Sequence, residues 1–415
     1  MVWWVDKYTP SPDICRSGSL CFYQYQDPNE EDRVFPSMNI IFNFYKRRYT
    51  THDLHTLIKS GVNIFNIDRT EHDEEFFKET VATILKAKRM PEMFPSEYAV
   101  PITIAVTLSI NKPIPIDDVV DVIIIKNVNN LNQYLMIKQE HEWSKKTIML
   151  WLNKWDDEEV EQLIQFSDGV ILDHQRNNLV SEEYCDCALK FCKKYFKPVF
   201  YIKPNIIEDY YNLVDRDIRI ISTIHDVVRN QVDGIVVTDN ENVQLPPRDI
   251  IRSIVRAISF AEKNINYEDD YLKLSFMIKI PALPSITIAL AACLAALKCE
   301  AKAIIVLTKS GISARWCAYA SPPCPILAIT TEESTTRRLH LYRKVIPLFY
   351  NAPRASWQVE WRNRVRFGTT FSLKTGLFYP GAKLVVISAS EESYCNGFQV
   401  LTAPFECDSE IKREI

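Results

Sequence analysis

Several features that mark other classes of protein are missing from this sequence of 415 residues. The formal net charge is only −4, so electrostatics indicates neither a nucleic acid nor an anionic membrane as partner. The longest apolar run, residues 281–297, contains Pro284 and is shorter than the ~20 residues that a membrane-spanning helix needs. It therefore predicts a buried helix rich in Ala and Leu rather than a membrane span.

A disulfide framework and a signal peptide are not indicated either. The 11 cysteines follow no repeating spacing, which favours free thiols in a reducing compartment. Cys185, Cys187 and Cys192 have neither the spacing nor the histidine of a zinc site. The apolar residues 2–5 are followed at once by Asp6, so no signal-peptide core forms. We therefore expect a cytoplasmic protein.

The sequence does contain short apolar runs that alternate with amphipathic stretches of helical length. The first eight runs are residues 40–42, 62–65, 102–106, 122–125, 147–150, 170–172, 199–202 and 235–237. Continuous apolar strands between helices are typical of a parallel sheet that is covered on both faces. Eight of them over about 200 residues predict an α/β fold of the (β/α)8 TIM barrel type, with its functional site at the C-terminal ends of the strands.

A second, smaller α/β domain with a mostly parallel sheet is predicted after the barrel. Its apolar runs are residues 304–307, 326–329, 345–349 and 384–387. The domain boundary is expected at residues 265–273, where Asn266 and three acidic residues interrupt the apolar pattern. The predicted division of the chain is a loosely packed leader (1–37), the barrel (38–265), the C-terminal domain (274–407) and a tail (408–415).

A phosphate-binding loop is predicted at Thr308-Lys309-Ser310-Gly311-Ile312-Ser313, between a strand and a helix of the second domain. The start of a helix presents unpaired N–H groups and a positive dipole end to an anion. The hydroxyls of Thr308, Ser310 and Ser313 add donors, and Gly311 allows close approach of the backbone. A helix capped by Ser310, without any ligand, explains the same string.

Longer segments around this loop, and several in the first domain, resemble the pyruvate kinase family. The segments are residues 57–64, 166–170, 305–314, 325–330 and 340–343. The resemblance runs from about Met38 to Pro404. It implies a TIM barrel followed by an effector domain and assembly into tetramers. It also implies an activity that converts phosphoenolpyruvate and ADP to pyruvate and ATP with magnesium and potassium.

An effector pocket is the best preserved part of this resemblance. In the family the loop grips one phosphate of a sugar bisphosphate, while a Trp and an Arg of a later helix hold the other. Trp357 and Arg364 match these two positions and lie seven residues apart, nearly two helical turns. The family's glycine-rich closing loop becomes residues 388–397, where Glu391 and Glu392 would repel a bisphosphate. We expect a retained pocket with weaker binding or another ligand.

The same resemblance implies that the catalytic centre has been lost. The family holds magnesium with a Glu and an Asp. The Glu position falls at Leu152 or Asn153, and the Asp position falls within residues 172–177, with Arg176 as the preferred match. Phosphoryl transfer needs this charge neutralisation, so the replacements remove the magnesium site. The Lys that steadies the phosphoryl group falls at Leu150 or Trp151, or at Leu152 if the alignment shifts further.

Other positions of the implied site differ as well. The substrate-binding Arg becomes Asn66 and the catalytic Thr becomes Lys203. Asp68 and Thr70 match positions that help to hold the monovalent cation, but Ser109 replaces the Asp that accompanies them. The family's inserted lid, a domain of about 100 residues, is missing. Without a lid, water reaches any phosphoryl intermediate.

Two replacement sites remain open from the sequence. Residues 156–159 are acidic and, with Asp173 and His174, form a conceivable metal site, although acids at a helix start more commonly interact with its dipole. Arg176 and Lys203 form a conceivable anion pocket. We assign no catalytic or metal-binding residue and expect no cofactor, with magnesium and potassium entering only if residual activity exists.

Three functions are therefore carried forward. The first is a non-catalytic pyruvate kinase-like protein that keeps a sugar bisphosphate pocket and forms oligomers with itself or with an active paralogue. The second is an active or residual pyruvate kinase of glycolysis. The third is a sugar-phosphate-binding or structural module.

Overall fold

The structure is a computed structural model of the whole chain. The parts that it describes are residues 35–44, 48–88, 102–110, 118–140, 143, 146–152, 157–173, 181–202, 216–239, 248–352, 356–389 and 395–404. Phe35 and Ser37, which were predicted to belong to the loosely packed leader, are buried. The remainder of that leader and the predicted tail lie outside the described residues.

Eight parallel strands close into a barrel in which each strand pairs with its neighbours in sequence and β8 pairs with β1. The strands are β1 Asn39–Phe44, β2 Ile64–Asp68, β3 Thr103–Ser109, β4 Val122–Lys126, β5 Thr147–Leu152, β6 Gly169–Asp173, β7 Val199–Ile202 and β8 Gly234–Thr238. The helices around them are α1 Thr51–Lys59, α2 Glu74–Lys88, α3 Leu131–Glu140, α4 Asp157–Phe166, α5 Ser181–Tyr195, α6 Arg216–Arg229 and α7 Arg248–Glu262. The predicted TIM barrel and its eight strands are confirmed. Because β3 ends at Ser109 and β4 begins at Val122, no inserted lid domain fits between them.

Side chains alternate along each barrel strand between the surrounding helices and the barrel interior. On β5, Leu150 and Leu152 belong to the hydrophobic cluster that includes Leu163 of α4, so they face outward. Met149 belongs to a different cluster with the other interior residues of the barrel. This alternation decides which residue of each strand faces the mouth, the end of the barrel formed by the carboxyl ends of the strands.

The second domain contains a five-stranded sheet in the order β11-β10-β9-β12-β13. Its strands are β9 Ala303–Leu307, β10 Ile326–Thr330, β11 Val345–Phe349, β12 Lys383–Ala389 and β13 Cys395–Thr402. The first four were predicted and pair in parallel, whereas β13 was not predicted and pairs antiparallel with β12. An edge strand that carries Gly397 and a half-exposed Val400 has no continuous apolar run by which to recognise it. The predicted mostly parallel sheet is confirmed.

Among the described residues, five helices complete the second part of the chain. They are α8 Tyr267–Met277, α9 Pro284–Lys298, α10 Ile312–Tyr319, α11 Glu333–Leu339 and α12 Trp357–Lys374. The segment expected to separate the domains is largely helix α8, and the Asn266 side chain caps it by accepting from Asp269 N. The apolar run predicted as a buried helix forms α9, but only one face is buried, whereas Leu294 on that helix is exposed. No described helix is long and apolar enough to span a membrane.

The second domain contacts the end of the barrel opposite to the mouth. Asn39, which begins β1, donates its side-chain amide to the Tyr342 carbonyl at 2.9 Å. Thr103, which begins β3, donates its hydroxyl to the Arg337 carbonyl at 2.7 Å. The C-terminal domain therefore leaves the carboxyl ends of the barrel strands uncovered.

A buried cluster of charges lies in this interface. The Glu262 carboxylate accepts from Arg343 Nη2 at 2.7 Å, Tyr267 OH at 2.6 Å and Ser37 Oγ at 2.8 Å, and Lys344 Nζ lies 3.2 Å away. Burial opposes the charge of Glu262, but Lys344 and Arg343 outweigh it and lower the pKa of the carboxyl to about 2. Burial also lowers the pKa of Lys344 to about 8. These paired charges join the barrel, α7 and the second domain.

Candidate functional site

The barrel mouth contains a chain of polar side chains that contact one another. Asp68 of β2 forms an ion pair with Lys126 of β4. The Lys126 ammonium lies 4.1 Å from the centre of the Trp151 ring on β5. The Trp151 indole nitrogen donates to Asp173 Oδ2 of β6 at 3.2 Å. We call these four residues, Asp68, Lys126, Trp151 and Asp173, the mouth chain.

Deeper in the barrel, amide and hydroxyl groups satisfy one another. The Asn66 amide nitrogen donates to Asn43 Oδ1 at 2.7 Å and to Thr107 Oγ1 at 2.8 Å. The Asn43 amide in turn donates to Thr238 Oγ1 at 3.4 Å. Asn66, which stands where the family resemblance implies a substrate-binding Arg, is therefore a neutral group bonded within the protein.

The strand geometry distinguishes between the alternatives that the sequence left open on β5. Since Leu150 and Leu152 face outward, the inward position is Trp151. An indole ring thus stands where the family resemblance implies a Lys for the phosphoryl group. The other candidate positions, Asn153 and Arg176, lie outside the described residues, as do Lys203 and His174.

The described residues of the mouth do not fit the magnesium site of the family. Asp173 accepts the indole N–H of Trp151, and its partner position on β5 is not a carboxylate. Glu158 and Glu159 lie in the first turn of α4, which agrees with the interpretation of acids at a helix start. Over the described parts of the chain, no group of three His, Cys, Asp or Glu side chains is arranged to hold a metal ion. Cys192 is a buried free thiol.

The monovalent cation of the family does not fit either. Asp68 Oδ1 accepts from the backbone nitrogen and the hydroxyl of Thr70, at 3.0 and 2.6 Å. Asp68 Oδ2 is bound by Lys126. Both carboxylate oxygens are therefore engaged by groups of the protein itself. Lys126 was not predicted as a site residue, because its partner Asp68 lies on another strand. The sequence feature that could have identified it is a single Lys at the end of an apolar strand.

The second candidate site lies at the carboxyl ends of β9, β10 and β11. Gly311, in the left-handed conformation with φ of +82°, is the N-cap of α10 and makes no side-chain cap. Its backbone nitrogen donates to Thr308 Oγ1 at 2.9 Å. Ser310 is therefore not the N-cap, contrary to the alternative considered from the sequence. A Cβ at Gly311 would lie 3.0 Å from Leu339, so the close approach of α11 also requires glycine.

The loop presents several donors at this edge. Lys309 and Ser310 are exposed, and Ser313 is half-buried in the first turn of α10. Thr330 at the end of β10 donates its hydroxyl to the Lys309 carbonyl at 3.3 Å, which ties the loop to the neighbouring strand. A helix start without a side-chain cap has the unpaired N–H groups that an anion binds.

Trp357 and Arg364 lie on one helix, as their spacing predicted. Trp357 is half-buried in the first turn of α12. Arg364 is only 9% exposed, forms an ion pair with Glu360 and lies 5.7 Å from the centre of the Tyr350 ring. Its Nε is buried and has no hydrogen-bond partner among the described residues. The sequence reasoning missed Glu360, although its spacing of four residues before Arg364 was a usable signal.

The two halves of the predicted pocket belong to elements that meet at one sheet. Helix α12 crosses β9 and β10, and a Cβ at Gly368 would lie 2.5 Å from Ile329 of β10. No hydrogen bond or ion pair joins the loop of residues 308–313 to Trp357 or Arg364 within the described structure. Glu391 and Glu392 lie outside it.

Comparisons with known proteins agree on one family. Residues 286–400 match the family model described as pyruvate kinase, alpha/beta domain. The pyruvate kinase of Agaricus bisporus is 34% identical over 150 residues, which cover 35% of this chain and 28% of that protein. Pyruvate kinase 1 of Trypanosoma brucei brucei is 24% identical over 254 residues, which cover 59% of this chain and 50% of that protein. The chain matches about a quarter to a half of the length of these relatives.

The fold defines a class of protein: a closed eight-stranded parallel barrel followed by an α/β domain with a mostly parallel sheet. Within that class, the matches to the second domain and to several pyruvate kinases identify the relationship. Residues 286–400 match the alpha/beta domain of pyruvate kinases, and more than half of the chain is similar to a pyruvate kinase.

Proposed function

We propose that this chain is a non-catalytic member of the pyruvate kinase family that binds a phosphorylated small molecule at the carboxyl edge of its second domain. The observation that carries the first part is the mouth chain. Lys126 and Asp68 neutralise each other, and Trp151 fills the inward position between Lys126 and Asp173. Phosphoryl transfer needs metal and free positive charge at this place.

An assay coupled to lactate dehydrogenase tests the loss of activity. The full chain is supplied with phosphoenolpyruvate, ADP, magnesium and potassium, and NADH oxidation is followed. We expect the rate of the buffer alone, while an active pyruvate kinase added to the same sample restores the signal. Turnover that disappears in Asp173→Asn would show a residual pyruvate kinase and contradict the proposal.

The proposed binding of a phosphorylated small molecule rests on the hydrogen-bond donors at the carboxyl edge of the second sheet. The start of α10 has no side-chain cap, Ser313 is half-buried in its first turn and Lys309 is exposed in the loop before it, and we assign these three donors to one anion subsite. Arg364 supplies a guanidinium whose fork geometry suits a second phosphate. Glu360 competes for this guanidinium, so a bisphosphate must displace or share the carboxylate, which lowers the affinity.

Thermal unfolding in the presence of fructose 1,6-bisphosphate or inorganic phosphate tests the pocket. A ligand that binds only the folded state raises the unfolding midpoint. We expect Arg364→Ala to weaken binding of the bisphosphate about tenfold or more, since a hydrogen bond to a charged group is lost. Arg362→Ala, an exposed position on the same helix, is the matched control. Equal shifts in both variants would remove Arg364 from the site.

We further propose that the protein associates with a second copy through α8. None of the 11 residues of this helix is buried. Five large apolar side chains on α8 and the following segment are exposed, and we call them the α8 face: Leu272, Phe276, Met277, Ile280 and Leu283. Phe276 is 86% exposed and Ile280 is 94% exposed. Contiguous apolar surface of this kind is typical of an interface.

The charges on α8 favour a second copy as the partner. Glu268, Asp269 and Asp270 lie in the first turn of α8, whereas its last turn carries no basic residue and the exposed Lys279 follows the helix. In an antiparallel arrangement about a two-fold axis, the acidic first turn of one copy meets Lys279 of the other. The apolar α8 face is thus flanked by charges that are complementary between two copies.

Light scattering after size exclusion tests this association. We expect a dimer or larger species for the native chain and a lower mass for Phe276→Asp. Met136→Asp, at an exposed apolar position of α3, is the matched control and leaves the mass unchanged. A native chain that is monomeric at high concentration contradicts self-association. Mixed species formed only on co-expression with an active pyruvate kinase would identify that paralogue as the partner instead.

A further inference from the structure

The four residues ahead of β1, Phe35 to Met38, pass from the core of the second domain to the core of the barrel. Phe35 is only 6% exposed and belongs to a hydrophobic cluster of the second domain. Every other buried member of that cluster, over the described parts of the chain, lies within residues 303–403. Met38 is fully buried in the cluster between the barrel strands and their helices. One short segment therefore contributes to both cores.

The Phe35 ring packs against helix α12 of the second domain. Its centroid lies 5.9 Å from that of the Phe371 ring, and the two planes are inclined by 70°, which is an edge-to-face pair. Phe371 is itself fully buried, and such a pair stabilises beyond the burial of the two rings. Phe35 is therefore a core residue of the second domain, although it precedes the barrel in the sequence.

The two residues between Phe35 and Met38 hold the segment in place. Pro36 lies against the turn between α1 and β2, where a Cβ at Gly61 would lie 3.3 Å from Pro36 Cδ. The Ser37 hydroxyl donates to Glu262 Oε1 at 2.8 Å, and the Ser37 carbonyl accepts from Lys344 N at 2.6 Å. Glu262 ends α7, whereas Lys344 directly precedes β11. Ser37 is therefore bonded to the barrel and to the second domain at once.

We propose that residues 35–38 act as an interdomain strap, which holds Phe35 in the core of the second domain and makes the stability of that domain depend on the barrel. Rotation of the second domain against the barrel would withdraw the Phe35 ring and break both hydrogen bonds of Ser37. Emptying a packed core and leaving buried polar groups unpaired are both unfavourable. The strap therefore locks the two domains in one relative arrangement. This inference rests on neither the anion pocket nor the α8 face.

Native-state hydrogen exchange of the full chain, resolved by mass spectrometry of its peptides, tests the proposal. Its rates report the opening equilibrium of each region when reclosing is fast. We expect Phe35→Ala to speed exchange in β9, β10 and α12 about a hundredfold or more, because a buried ring is lost from their core. Strands β4, β5 and β6 are expected to keep their native rates. Phe260→Ala, at an exposed position of α7, is the matched control and changes neither domain.

A double-mutant cycle tests whether Phe35 and Ser37 act as one strap. Ser37→Ala removes the hydroxyl that is bonded to Glu262 and is expected to speed exchange in the second domain about tenfold. Phe35→Ala combined with Ser37→Ala is expected to exchange more slowly than the product of the two single effects, because the anchor no longer holds a ring.

Two results overturn the proposal. If Phe35→Ala speeds exchange equally in both domains, or leaves the second domain unchanged, then Phe35 is not a core residue of that domain. If the effects of Phe35→Ala and Ser37→Ala multiply in the double variant, then the two residues act separately and form no strap. Phe35→Leu, which keeps an apolar side chain, is held to the same criteria if Phe35→Ala does not fold.

Discussion

The barrel mouth and the edge of the second sheet are both formed by the carboxyl ends of parallel strands, where such folds bind their ligands. In the mouth chain, side chains of four strands satisfy one another. At the second edge, the start of α10 has no side-chain cap, and Lys309 and Ser310 are exposed. The two edges therefore differ in how their polar groups are satisfied. In the mouth chain the polar side chains contact one another, whereas at the second edge the donors are exposed.

The hydrophobic packing of the barrel is complete below the mouth chain. Interior residues such as Ile124 and Met149 and outward residues such as Leu150 remain buried. The stability of the barrel comes from the interior and the outward layers of apolar side chains. The mouth chain lies at the ends of the strands, beyond both layers. The hydrophobic packing of the barrel is therefore separate from the polar groups of the mouth chain.

The largest effect is expected where the two regions are joined. Glu262→Gln leaves Arg343 and Lys344 buried without their anion, which costs about 3–5 kcal/mol of unfolding free energy. Denaturant unfolding measures the change, and Glu75→Gln at an exposed position of α2 is the control. We expect the barrel and the second domain to lose their common transition in Glu262→Gln. An unchanged single transition would show that the interface does not depend on this charge.

The same carboxyl makes the interface sensitive to acid. Its pKa is lowered from 4.5 to about 2, so its contribution is present above pH 4.5 and is lost as the pH falls towards 2. The shift corresponds to about 3 kcal/mol at neutral pH. Asp233 acts in the opposite sense, because burial raises its pKa to about 6 and its ionisation reduces stability as the pH rises from 4 to 6. Unfolding free energies measured between pH 2 and 5 test the role of Glu262. The free energy of unfolding should fall less steeply with decreasing pH in Glu262→Gln than in the native chain.

Packing in the barrel is expected to be less tolerant than packing at the surface of the second domain. A Cβ at Gly234 of β8 would lie 2.3 Å from Phe200 and 2.4 Å from the Asn39 carbonyl. Gly234→Ala should therefore cost about 2–3 kcal/mol through overpacking. Gly376, with φ of +68°, has no atom within 4 Å of such a Cβ. Gly376→Ala should cost only about 1 kcal/mol of backbone strain, and chemical denaturation of both variants checks the order.

The smallest effect is expected at the open site. Glu360→Gln removes the carboxylate that competes for Arg364, so binding of fructose 1,6-bisphosphate should tighten about threefold to tenfold. Isothermal titration of the native chain and of Glu360→Gln measures the ratio. Glu333→Gln, at an exposed position of α11, is the control. Weaker binding to Glu360→Gln would mean that the pair positions Arg364 for its ligand.

Local patterns were enough to predict most of the fold. Each barrel strand includes or overlaps a short, largely apolar run, because a parallel strand is buried on both faces. The edge strand β13 was not predicted. It pairs with β12 only, and an edge strand does not require a continuous apolar run. Helix α9 was expected to be buried, but only one of its faces is, and an evenly apolar composition does not reveal which face packs against the domain. The placement of Trp357 and Arg364 on one helix could be predicted from their spacing, because the helical period of 3.6 residues is a local property of the sequence.

The sequence by itself determined most of the succession of strands and helices and the resemblance to pyruvate kinases. Only the tertiary structure decided that Trp151 rather than Leu150 faces the mouth, because strand alternation is counted from the packing and not from a motif. It also decided that Lys126 binds Asp68, 58 positions away in the chain. Such pairings depend on which strands become neighbours, and that information lies in the closed barrel rather than in any local pattern.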